Sequence, residues 1–230
     1  MAIDRWLLDQ HCQGRLPSVL RFYRWQPAAI SLGYHQRHYP PHWLNLSWQG
    51  QPLSLVRRPS GGRAVLHQGD LTYAVITSAF SGQRQQVYQQ VCQFLVQGWR
   101  SLGFSLVYGT AGRGYIHNPG CFTTSTAADL TLAHGAKLIG SAQFRQANCL
   151  LQHGSMQLQP DAALFAQVFG ADNPLPPLPM SLRQLSDSQI IAALRGAAED
   201  CWDIKLHPQP LTLAEYQAAT QQAANWQVME

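Results

Sequence analysis

Charge is scarce in this chain: of 230 residues, only 12% are Asp, Glu, Lys or Arg. Sixteen basic residues against twelve acidic ones leave a formal charge of +4. That balance is too mild to suggest nucleic acid, and it favours acidic protein partners and anionic ligands through faster encounter. No run approaches the roughly 20 apolar residues of a membrane span, so no membrane association is expected. The five cysteines, at 12, 92, 121, 149 and 201, are odd in number and lack C-x-x-C spacing, which argues against a disulfide framework. Asp4 and Arg5 break up any signal-peptide core, and a reducing, cytoplasmic compartment is expected. The nine histidines have no cysteine or carboxylate partners at ligand spacing, so no metal is expected. No G-x-x-x-x-G-K phosphate loop occurs, and no cofactor is expected.

Against these absences, two segments stand out. The first, Arg57-Arg-Pro-Ser-Gly-Gly-Arg-Ala-Val-Leu-His67, places cations, paired glycines and a histidine between strand-like runs. Gly61 and Gly62 permit positive φ and a close backbone approach to a ligand, with Arg58, Arg63 and His67 as polar contacts beside them. An ordinary tight turn with solvated arginines accounts for this segment equally well when it is taken alone. The second runs from Lys137-Leu-Ile-Gly-Ser-Ala-Gln143 to His153-Gly154.

Together these segments resemble the lipoyl/octanoyl/biotinyl protein ligase and transferase superfamily, with its RRxxGGxxVxH-type loop, K-x-x-GSAQ strand and downstream HG step. The resemblance spans roughly residues 1 to 170. It implies a mixed α/β fold: an α+β mixed sheet with flanking helices, of the biotin/lipoate protein ligase type and similar to class II aminoacyl-tRNA synthetases. It also implies a tunnel for an acyl chain between the glycine loop and the lysine strand. Candidate wall and contact residues are Arg58, Gly61, Gly62, Arg63, His67, Tyr73, Gly140, Ser141, Ala142, Gln143, His153 and Gly154, with Leu66 as further lining. For His67 and His153, a hydrogen-bonded structural role fits as well as a place at the ligand.

Cys121 lies in a loop-like stretch with Pro119, Gly120, Thr123 and Thr124, whereas the other cysteines sit in apolar or helical patterns typical of buried thiols. By resemblance, Cys121-Phe122 matches the nucleophile of one branch of octanoyltransferases, and the other branch's cysteine, after the HG step, has no counterpart between Gly154 and Asp200. Lys137 is the expected partner. An ammonium about 4 Å from the thiol would favour thiolate by roughly 4 kcal/mol at an effective dielectric of about 20, before desolvation is subtracted. The resemblance implies octanoyl transfer from octanoyl-acyl carrier protein, through a Cys121 thioester, to a lysine of a lipoyl domain. Acceptors would be 2-oxoacid dehydrogenases or the glycine cleavage H protein. An ATP-dependent lipoate or biotin ligase, an amidotransferase between lipoyl domains, and a silent binding module remain open. Arg63, standing where ATP-dependent ligases commonly have a third glycine, weakens the ligase reading.

Hydrophobic periodicity predicts a helix from the N-terminus through Leu8, strands over 19–25, 30–35, 53–57, 64–67 and 71–77, and an amphipathic helix over 83–102 ended by Gly103. A strand over 104–108, a hairpin of 129–133 with 136–145, a strand over 148–158 and a helix opened by Pro160 and Asp161 complete residues 1–180, read as the catalytic domain. After prolines 174, 176, 177 and 179, residues 181–230 read as a C-terminal helical extension on the same domain. Its helices, 187–202 and 213–226, open on Ser186-x-x-Gln189 and Thr212-x-x-Glu215 capping patterns. A monomer is expected.

Overall fold

The computed structural model describes residues 1–109, 129–175, 177–221 and 223–228. The main sheet has the order β1 (Val19–Tyr23), β7 (Asp70–Thr77), β11 (Cys149–Gln157), β10 (Lys137–Gln146), β9 (Asp129–Leu132) and β8 (Leu106–Tyr108). All of its pairings are antiparallel. A second sheet sets β2 (Ala29–Leu32) between β5 (Ser54–Arg57), which is parallel to it, and β6 (Val65–His67), which is antiparallel. A hairpin of two-residue strands, β3 (Ser47–Trp48) with β4 (Gln51–Pro52), lies between β2 and β5 in sequence.

Side-chain alternation gives the two faces of the main sheet different partners. Leu71, Tyr73 and Val75 of β7, with Leu150 and Met156 of β11, point into a core with α2 (Arg84–Ser101) and α5 (Asp187–Trp202). The intervening Ala74 and Ile76, with Cys149 and Leu151, face α1 (Ala2–Cys12), which lays Leu7 and Leu8 over them. The smaller sheet buries Ile30, Leu32 and Leu66 against Phe165 and Phe169 of α3 (Ala162–Phe169). Between α1 and the smaller sheet, the same face of the main sheet is polar, and the cavity opens there and extends past β10 to the first turns of α2.

Local chemistry sets most boundaries. Asp161 caps α3 through Leu164 N at 2.8 Å, and the predicted capping boxes open both α5 and α6 (Leu213–Thr220). Helix α2 stops at Gly103, whose φ of +87° a side chain would resist. Of the helix predicted over 213–226, the α-helical part ends at Thr220, and residues Ala223–Trp226 form a 3-10 turn. The chain beyond it runs to the open edge of the smaller sheet, where Val228 N donates to Leu55 O at 2.9 Å, and that pairing competes with continued helix. A short helix without a sequence signal, α4 (Met180–Arg183), buries Leu182. Among the described residues, no helix is long and apolar enough to cross a membrane.

Candidate active site

The glycine loop is organised around Arg58. Its guanidinium is buried and donates to Ser31 O (2.9 Å), Gly61 O (2.9 Å) and Arg63 O (2.7 Å), so the loop wraps its own arginine. Of the two glycines expected to take positive φ, only Gly62 does, at +96°. A Cβ there would come within 2.9 Å of the Arg58 guanidinium, whereas one on Gly61 would meet nothing within 4 Å. Gly33, not singled out from sequence, is the tighter constraint: a Cβ would lie 1.8 Å from Gly62 O.

From Arg58 a buried polar chain crosses between the sheets. Ser31 Oγ and His67 Nε2 are 2.8 Å apart, and His67 Nδ1 is 2.8 Å from Asp70 Oδ2. That carboxylate also accepts from Ser155 (2.7 Å) and Thr72 (3.2 Å), while Trp25 stacks on the His67 ring at 4.1 Å. Both ring nitrogens of His67 are therefore engaged within the protein, although its edge still lines the cavity. His153 joins the loop to the main sheet through Ser60 Oγ at 2.5 Å. Its Nδ1 stands 3.7 Å from the Asp4 carboxylate. Asp4 is fully buried and accepts from Arg21 Nη1 and the Tyr23 hydroxyl, each at 2.6 Å. Burial pushes the His153 pKa below its ordinary value, outweighing the upward pull of Asp4.

Lys137 is brought to the cavity by a bulge. Lys137 pairs with Thr131, but Ile139 pairs with Leu130 and Gly140 with Asp129, so β10 carries one extra residue there. Leu138 and Ile139 consequently both enter the α2 core, and Lys137 shares the cavity face with Gly140 instead of opposing it. Lys137 Nζ lies 2.8 Å from Asp129 Oδ1, with both side chains almost wholly buried. Asp129 is not among the residues that the sequence motifs single out. Its only signal was a carboxylate opening an apolar strand opposite the lysine strand, because the pairing depends on the bulge.

The cavity has a volume of about 800 Å³ and brings together Arg58, Gly61, Gly62, Arg63, His67, Lys137, Gly140, Ser141, Ala142, Gln143, His153 and Gly154. Two expected lining residues are elsewhere. Tyr73 points to the α2 face, fully buried, with its hydroxyl 2.8 Å from Ser141 Oγ and accepting from Gln152 Nε2 at 3.0 Å. Burial pushes its phenol pKa well above 10. It thus backs the wall without lining it. Leu66 faces α3 because alternation along β6 gives the cavity its neighbours Val65 and His67. Cys121 lies outside the described residues.

A model of the lipoyl protein ligase A/B catalytic domain matches residues 1–181. The octanoyltransferase LipM of Lysinibacillus sphaericus is 35% identical over 243 residues, covering 94% of this chain and 86% of its own length. LipM of Kyrpidia tusciae is 34% identical, covering 98% and 90%. Among solved structures, the Ta0514 protein of T. acidophilum with bound lipoic acid superposes with a TM-score of 0.75 at 19% identity, over 97% of this chain and 88% of its own. A lipoate-protein ligase A bound with ATP gives 0.74 at 19%, over 96% and 87%. These structural likenesses establish the fold.

Proposed function

The chain belongs to the lipoyl protein ligase A/B catalytic-domain family, and within it we propose an octanoyltransferase of protein lipoylation that uses Cys121 as nucleophile and Lys137 as its proton-handling partner. The observation that carries the reading is Lys137 itself. It is a buried lysine turned onto a cavity wall in a chain whose relatives are octanoyltransferases along almost its whole length.

In the first half-reaction, the Cys121 thiolate attacks the carbonyl of octanoyl-acyl carrier protein. The tetrahedral oxyanion collapses to an acyl-enzyme thioester, and the carrier thiolate leaves, taking a proton from the Lys137 ammonium. In the second, a lipoyl-domain lysine amine attacks that thioester. Its surplus proton returns to Lys137, an amide forms and Cys121 is released. Asp129 holds the Lys137 side chain in place through both steps, accepting its hydrogen bond at 2.8 Å. Burial of the chain's roughly six methylenes, at about 0.8 kcal/mol each, supplies on the order of 5 kcal/mol toward holding the acyl group. Gly140 and Ala142 suit the wall by leaving space beside the sheet. Residues 181–230 act as an extension of the catalytic domain, since Ile190 and Leu194 share the core of α2.

Intact-protein mass spectrometry after mixing with octanoyl-acyl carrier protein, without ATP, tests this. One octanoyl group, labile to hydroxylamine and absent from Cys121→Ser, is the expected result. Formation of an octanoyl adenylate from ATP and free octanoate by Cys121→Ala, with no thioester on the parent protein, would assign the chain to the ligases instead.

A further inference from the structure

Charge is unevenly divided along the chain. Residues 1–160 hold thirteen arginines and lysines against four carboxylates, while residues 161–230 hold three against eight. Of the four carboxylates in the first part, Asp4, Asp70 and Asp129 are buried, and Asp9 is paired with Arg5 at 3.0 Å. Among the described residues that border the cavity, Arg58, Arg63, Arg84, Lys137 and Arg145 are cationic, and Asp129 is the one carboxylate.

Two arginines concentrate that charge at the cavity mouth. Arg84 and Arg145 are exposed and both border the opening. Arg145, on the far half of β10, reaches Gly82 O at 3.4 Å, which sets it against the segment leading into Arg84. Neither has a carboxylate within 4 Å among the described residues. Arg84 also opens α2, whose first turn holds no acidic residue. A cation there opposes the helix dipole, so it is not placed for helix stability.

Resting on the octanoyltransferase reading, we propose that Arg84 and Arg145 form a docking rim for an acidic face of the acyl-donor carrier protein, guiding its thioester arm into the cavity. Rim charges of this kind act on encounter rate and salt dependence more than on chemistry.

The test follows acyl-enzyme formation by quenched-flow mass spectrometry for the parent and the double variant Arg84→Glu/Arg145→Glu. Three donors are used: octanoyl-acyl carrier protein, octanoyl-coenzyme A and octanoyl-N-acetylcysteamine. With the carrier protein, the apparent second-order rate should fall about 10- to 100-fold at low salt. The gap should shrink at about 0.3 M salt, where screening is strong. The two donors without a carrier protein should stay within about twofold of the parent. An unchanged rate with the carrier protein overturns the proposal, as does an equal loss with all three donors. A loss with coenzyme A matching the carrier's assigns the rim to phosphate and also overturns it. If the parent forms no acyl-enzyme with any donor, the transferase reading fails instead. Fluorescence anisotropy of labelled carrier protein then decides docking: a Kd raised about tenfold by the double variant supports the rim, and an unchanged Kd sinks it.

Discussion

Lys137 Nζ and Asp129 Oδ1 meet at 2.8 Å inside the protein, on neighbouring strands brought into register by one extra residue in β10. Removing one member leaves the other charge buried. Lys137→Ala should therefore cost about 3–5 kcal/mol of stability and slow acyl transfer by about 10²-fold or more. The double variant Lys137→Met/Asp129→Asn should recover much of the melting temperature while staying inactive. Thermal denaturation beside the mass-spectrometric assay separates the two effects. Equal melting losses in single and double variants would show that the pair is not energetically coupled.

The glycines divide by what surrounds them. Gly33→Ala would drive a methyl to 1.8 Å from Gly62 O, and Gly154→Ala would place one 2.5 Å from the Tyr73 ring and 2.8 Å from Gly140 O. Both should lower the melting temperature by several degrees, in line with overpacking costs of about 1–3 kcal/mol. Gly61→Ala, with nothing within 4 Å, should fold like the parent. Melting curves for the three variants check this ordering, and a Gly61→Ala protein as unstable as Gly33→Ala would contradict it.

Stability should fall toward acid in two phases. Burial depresses the His153 pKa from 6.5. Below that value the unfolded chain binds a proton that the folded chain resists, so stability declines as pH drops from about 7 to 5. For Asp4, burial pulls the pKa upward, but the approach of His153 and the charge of Arg21 prevail and hold it well below 3.8. Its contribution is complete above 3.8 and is lost as pH falls through the depressed folded value. Melting temperature against pH should lose its upper phase in His153→Gln and its lower phase in Asp4→Asn. An unaltered upper phase in His153→Gln would remove His153 from this account.

Thiol reactivity should single out one cysteine. Burial pushes Cys92 up to about 11, and burial with the neighbouring Cys149 pushes Cys12 up to about 12. Little thiolate forms at either near neutrality, so iodoacetamide at about pH 7.5 should spare both. Cys121 should be alkylated at least about tenfold faster, and octanoylation beforehand should protect it. Peptide mapping after timed labelling reads this, and Cys92 reacting as fast as Cys121 would undo the assignment of the nucleophile.

The parts of the site legible in the sequence were those written into local spacing. Gly62 beside Arg58, Lys137 three residues before Gly140, and His153-Gly154 all reach the cavity. Where the sequence is silent or ambiguous, a face or a distant partner is at stake. Tyr73 fits a pocket wall by residue type, yet its place in β7 turns it toward α2. Arg58 reads as a ligand contact, and the structure shows it also binding its own loop. Asp129 and Gly33 lacked any local signature.

By itself, the sequence determined the elements: helix α2 from its apolar spacing and Gly103, the capping boxes of α5 and α6, and the hairpin about His134 and Gly135. Those signals act over a few residues, through side-chain entropy, backbone φ and capping hydrogen bonds, so they survive without knowledge of the fold. Only the tertiary structure decided which strand faces meet, that a bulge at Leu138 turns Lys137 toward Asp129, and that His67 and His153 lie between two sheets. Those outcomes depend on register and burial between segments far apart in the chain. There, a shift of one residue exchanges the faces of a strand and so decides which side chains share the cavity.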